Sequence, residues 1–90
     1  MFAIFVSTND DMAFLKEFGT VRNFGPFMNE KEARDLLKSN GWTVHHRKSG
    51  EYGLKKRRVE YFGNIVPYVP PSQILSADKL PKADSTPVKS

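Results

Sequence analysis

The chain contains no cysteine, which excludes a disulfide framework and a thiolate metal site and favours an intracellular, cytoplasmic setting, or the nucleus in a eukaryote. No apolar run approaches the roughly 18 residues of a membrane span. The apolar start at residues 1–7 is short and lacks the basic flank of a signal peptide, so no membrane partner is expected. Catalytic frameworks are missing too. No glycine pattern forms a phosphate loop, and no nucleophile sits in a Ser/His/Asp or Cys/His arrangement. The adjacent His45 and His46 would point to opposite faces of a strand, one partly buried and one exposed, so they cannot close on one ion. The expectation is a protein with no catalytic residue, no metal and no cofactor, hence not an enzyme.

Acidic residues are scarce in one stretch. Residues 42–62 hold Arg47, Lys48, Lys55, Lys56, Arg57 and Arg58 against only Glu51 and Glu60, a local charge of +4 that equals the charge of the whole 90-residue chain. Residues 1–40, with five Lys/Arg and six Asp/Glu, and residues 63–90, with three and two, cancel. The pattern predicts a basic β-hairpin, with strands at 42–48 and 54–62 and a turn through Ser49-Gly50-Glu51-Tyr52-Gly53, whose glycines supply positive φ. If Val44 and Val59 mark the core face, then His45, Arg47, Lys56 and Arg58 lie together outside. Lys48, Lys55 and Arg57 extend that patch around the tip.

Eleven aromatic residues, seven Phe, three Tyr and one Trp, can each bury roughly 150–250 Å² and so furnish a compact core. Residues 2–7 read as a central strand. Residues 10–18 carry i, i+3 and i, i+4 apolar pairs behind an Asn9/Asp10 cap and end at Gly19, predicting a short helix, although Met12, Phe14 and Phe18 also alternate as a strand would. Residues 20–24 are β-compatible and stop at Gly25-Pro26. Asn29-Glu30-Lys31-Glu32 is a capping box that opens a helix over 30–39, with Ala33, Leu36 and Leu37 inward and Gly41 as the left-handed closing residue. The three prolines around residues 65–69 point to an edge strand or a covering segment. From about Ser76 the composition predicts a disordered tail. The fold class is therefore α+β: one domain over residues 1–75, a mainly antiparallel sheet of three to four strands with the main helix 30–39 packed on it and a short helix at 10–18, followed by a tail over residues 76–90.

The stretch from Ala33 to Pro71, with Leu36-Leu37-Lys38-Ser39-Asn40-Gly41-Trp42 leading into the Ser49-Gly50 turn, resembles the helix and sheet of HicA-type toxins. That resemblance implies an α-β-β-β core of double-stranded-RNA-binding type and affinity for RNA. The family's active histidine follows a Gly-Ser pair at this turn, whereas Glu51-Tyr52 stand here, so the resemblance does not imply nuclease chemistry.

Cations interleaved with Tyr52, Tyr61 and His45 suit nucleic acid, because basic side chains neutralise phosphates and aromatic rings stack on exposed bases. The expected function is non-enzymatic binding of DNA or RNA, mainly through phosphates, by His45, Arg47, Lys48, Tyr52, Lys55, Lys56, Arg57 and Arg58. Lys55-Lys56-Arg57-Arg58 also has the form of a nuclear localisation signal. The alternative is a small accessory or inhibitor protein of bacteriophage type that binds an acidic or nucleic-acid-handling host protein. Its protein-contact anchor would be Phe24, Phe27 and Met28, unless these staple the following helix into the core.

Overall fold

The structure, a computed structural model, describes residues 1–56, 58–67 and 70–83. It is an α+β fold in which a six-stranded mixed sheet carries two α-helices on one face. In chain order the elements are β1 (Phe2–Thr8), α1 (Asp11–Phe18), β2 (Asn23–Phe27), α2 (Glu30–Ser39), β3 (Thr43–His46), β4 (Glu51–Lys56), β5 (Val59–Pro67) and β6 (Ile74–Ser76), with single 3-10 turns at Pro71–Gln73 and Ala77–Lys79. The sheet order is β3-β4-β5-β1-β2-β6, antiparallel throughout except for the parallel β2/β6 pair.

The helices form where their caps place them. Asp10 accepts the Ala13 N–H at 3.1 Å to start α1, and burial of Phe14 against the sheet selects helix over strand. Asn29 accepts the Glu32 N–H at 2.9 Å to start α2, while the Glu32 carboxylate reaches back to the Met28 N–H at 3.1 Å, one residue beyond the cap itself. Its end is a Schellman motif: Gly41, at φ +93°, donates to Lys38 and Trp42 donates to Leu37. On the solvent side Lys31 donates to Asp35 at 2.9 Å, and that hydrogen bond holds the Asp35 carboxyl below its ordinary pKa. Inward, Ala33 and Leu37 are fully buried and Leu36 is half-buried.

The core lies between the helices and the Ile4/Val6 face of β1. Phe14, Phe18 and Phe24 pack in series, the first pair tilted and the second edge-to-face, with centroids at 4.8 and 5.5 Å, and the Arg22 guanidinium caps Phe14 at 4.6 Å. Trp42, just past α2, packs over Gly63 of β5: a Cβ built on that glycine would stand 3.0 Å from the indole. Hence Gly63-Asn64 does not end a strand, as its composition suggests; β5 runs on through it to Pro67.

Several boundaries differ from those the sequence suggests. The predicted hairpin is a three-stranded meander, because the chain turns at residues 47–50 and β4, ending at Lys56, pairs back onto β5 from Val59. Residues 51–53 are therefore strand and not turn. The sheet has six strands because β2, β4 and β6 each add one. Gly25-Pro26 does not stop β2: it sits at a bulge where three steps on β2 match two on β1, so the missing proline N–H falls outside the regular ladder. The bond between them is cis. Ile65-Val66-Pro67 end a central strand next to β1. This is compatible with proline because β4 pairing reaches only to Gly63. Positions 68 and 69 of the expected edge segment lie outside the described residues.

The segment after residue 75 is placed, not free, as far as Ala83. Leu80, 2% exposed, enters the core. Behind it Pro81 offers its carbonyl to the Trp42 indole N–H at 2.8 Å, the Asn40 amide lies within hydrogen-bonding reach of the Leu80 and Pro81 carbonyls, and the Ala83 N–H donates to Asn40 at 2.7 Å. One leucine and a few backbone bonds suffice, so composition underestimates the ordering. Residues 84–90 of the expected tail lie outside the described residues.

Two stability outcomes follow. Leu37→Ala should cost about 2–5 kcal/mol and half-buried Leu36→Ala less, as read from denaturant midpoints; equal effects would contradict the helix orientation. Ending the chain at Ser76 should destabilise the fold by roughly 2–5 kcal/mol for the lost leucine packing and about 1–3 kcal/mol for an indole N–H left without its acceptor. An unchanged melting temperature would show that this segment does not hold the core.

Candidate nucleic-acid interface

Pairing fixes which side chains share a face. On the helix side stand Ile4 and Val6 of β1, Phe24 of β2, Tyr52 and Leu54 of β4, and Val59, Tyr61, Gly63 and Ile65 of β5. The other side carries Phe5 and Ser7 of β1, Thr43 and His45 of β3, Glu51, Gly53 and Lys55 of β4, and Glu60, Phe62 and Asn64 of β5. Neither α-helix covers this second face.

The predicted binding residues divide between these environments. Tyr52 is 6% exposed and belongs to the core. It cannot stack on a base, because the true turn at 47–50 shifts it into β4 with its ring toward the helices. Tyr61 is buried as well. Phe24 and Phe27 are core residues, so of the proposed protein anchor only Met28, 75% exposed, is at the surface. This supports the stapling reading of Phe24 and Phe27 and removes the exposed cluster. Val44 is 50% exposed at the edge strand and does not mark a core face, whereas Val59 packs against the core. Lys56 pairs with Val59 and Lys55 with Glu60, so Lys55, not Lys56, lies on the open face.

Nor do the cations form one patch. Arg47 and Lys48 occupy the β3/β4 turn, whereas Lys55 and Lys56 close β4 and Arg58 lies just beyond its end. Four strand steps, from Glu51 beside the first group to Lys55 of the second, separate them by about 13 Å. Arg57 lies outside the described residues. Ion pairing among the described residues is uneven along the chain: three of the five Lys/Arg in residues 1–40 are paired, while Lys16, Lys38, Lys79, Lys82 and the described cations of the meander are not. Arg22, Lys31 and Arg34 pair with Asp11, Asp35 and Glu30, whereas Arg47, Lys48, Lys55, Lys56 and Arg58 have no ion pair among the described residues.

Both histidines are exposed, in contrast to the expected one-in, one-out arrangement, because the pairing shifts between Val44 and His46 on a short edge strand. His45 lies across the open face, its ring 5.1 Å from Phe62 and its Nε2 3.9 Å from a Glu51 oxygen. The other Glu51 oxygen accepts from the Asn64 amide at 3.2 Å. His46 instead contacts Ser49 Oγ through Nδ1 at 3.3 Å, tying the turn together. Gly53 has only hydrogen where a side chain would crowd the His45 Cβ, and a hollow of about 170 Å³ opens there, lined by Thr43, His45, Lys55, Glu60 and Phe62 among others. The sequence reading missed Phe62, Phe5, Glu51 and Asn64. Strict alternation from Tyr61 would have placed Phe62 outside. Among the described residues no three His, Asp or Glu side chains gather closely enough to hold a metal ion, and no helix is long and apolar enough to cross a membrane.

Because Tyr52 is core, Tyr52→Ala should cost roughly 3–5 kcal/mol, the range for truncating a large buried aromatic residue. A thermal melt matching the parent chain, with ligand binding selectively reduced, would contradict that placement. No protein-family model, curated protein or solved structure matches the chain.

Proposed function

We propose that the protein is a non-enzymatic nucleic-acid-binding module whose β3-β4-β5 meander holds phosphates with its two basic turns. The observation that carries this reading is the density of unpaired cations at the ends of β4: none of Arg47, Lys48, Lys55, Lys56 and Arg58 has an ion pair among the described residues, whereas three of the five Lys/Arg in residues 1–40 are neutralised by neighbouring carboxylates. Unpaired, exposed cations release condensed counterions when they meet phosphates, which is the main source of sequence-independent affinity. An acidic protein surface would meet the same charges. The burial of Phe24 and Phe27 removes the aromatic anchor that a protein partner would have used beside Met28, and this favours phosphates.

Fluorescence anisotropy with labelled duplex and single-stranded DNA and RNA tests the reading. If about four cations meet phosphates, log affinity should fall against log salt with a slope of roughly −3 to −4, with weak sequence preference. The double reversal Lys55→Glu and Arg58→Glu should abolish binding while stability stays within about 0.5 kcal/mol, as is usual for exposed substitutions. If micromolar protein at low salt shifts none of these probes, the proposal falls and an acidic protein becomes the ligand to seek.

A further inference from the structure

From the side chains on the open sheet face we infer that the ligand is a single strand, its bases stacked on Phe62 and Phe5 and its phosphates held by the basic turns. This rests on the nucleic-acid reading above and specifies its substrate class. β1 and β5 are neighbours, and Phe62 lies opposite Ser7, two residues from Phe5. The two residues are thus diagonal neighbours on one face, their backbones roughly 7–8 Å apart by strand geometry. Phe5 is 39% exposed although it sits in the middle of the sheet. His45, tilted against Phe62 at 5.1 Å, extends the row to the edge strand. Three rings on three strands form a stacking surface to which any base can present its π-face.

The polar groups beside this row suit a splayed base. The hollow over Gly53 adjoins Phe62 and is flanked by Lys55 and Glu60. The Glu51 carboxylate, steadied by the Asn64 amide, presents acceptors on the same face. A second hollow, of about 350 Å³, lies beside Phe5 and is lined by Arg22 and Asn23 among others. A duplex hides the faces of its bases in its own stack and offers these rings nothing, whereas a single strand can unstack and lay bases on them. Cations without ion pairs at both ends of β4 give the complementary charge for a backbone running over the face.

The test measures affinities for oligothymidylate, oligouridylate and a duplex with wild type, Phe62→Ala, Phe5→Ala and Phe62→Tyr. Each alanine variant, with folding checked by circular dichroism, should bind the single strands roughly 5- to 100-fold more weakly, as loss of one stacked base implies. Duplex affinity should not change, and Phe62→Tyr should bind as wild type. The two oligonucleotides distinguish DNA from RNA as the source of the strand. In parallel, titrating wild-type protein with oligothymidylate should shift the NMR resonances of Phe5, His45 and Phe62. This readout remains decisive if an alanine variant fails to fold. Alanine variants that bind single strands normally, or lose duplex binding equally, would overturn the inference, as would shifts confined to the two turns. If the Lys55→Glu, Arg58→Glu protein loses all binding while the phenylalanine variants keep theirs, only the stacking platform falls. If no probe binds wild type, both readings fall.

Discussion

The rest of the structure depends on how Trp42 is seated. Its indole lies over Gly63 in the central strand β5, its ring N–H donates to the Pro81 carbonyl, and its backbone N–H closes the end of α2. One residue thereby joins the helix terminus, the middle of the sheet and the returning C-terminal segment. A buried indole needs an acceptor for its single donor, and only a chain that folds back to Pro81 supplies it here. The glycine is equally constrained. Any side chain at position 63 would push the indole outward, and α2 is tied to the indole through Gly41.

This seating makes the sheet one-sided. With Trp42, Phe14, Phe24, Leu37 and Leu80 filling one layer, the helices and the C-terminal segment are all drawn to the Ile4/Val6 face. Period-2 alternation then sends Phe5, Phe62 and Asn64 to the other. Tyr52 and Phe62 illustrate the consequence. Both are aromatic residues of the basic meander, yet register puts the first in the core and the second on the open side. The availability of an aromatic ring to a ligand is thus set by strand parity and not by its proximity to charge in sequence.

The same logic accounts for what could be read in advance. The helix over 30–39 was legible, since Asn29 and Gly41 carry local, mechanistic end signals and its apolar stripe agrees with them, whereas residues 10–18 read as helix or strand, because Met12, Phe14 and Phe18 alternate despite the Asp10 cap. The meander was legible as basic and β-forming but not in its turns. Ser49-Gly50 and Gly53 compete as turn formers in sequence, and only packing decides: Gly53 is used to admit His45 across a strand, while β4 continues to Lys56 before pairing back onto β5. Six cations were therefore visible, but their division into two groups was not. The order of residues 76–83 was hidden for a different reason, because it rests on one leucine and on backbone groups that every sequence possesses. Phe5 was read correctly as strand, but its exposure is a property of the layer arrangement and has no local signal.

The division of charge shapes what such a surface can bind. Clusters about 13 Å apart at strand spacing lie beyond the Debye length of roughly 10 Å at 0.1 M salt, so each strengthens the potential of the other only weakly in solution. Their cooperation has to come through the ligand. A chain held at one turn presents its next phosphates to the other at high effective concentration, provided that its backbone can follow the face between them. A small polyanion spanning only one turn gains nothing from the second, and a rigid ligand gains only if its charges match the spacing. A flexible polyanion that can also lay flat groups on the rings between the turns uses all three features at once, and the open face of β1, β4 and β5 provides them on a single surface.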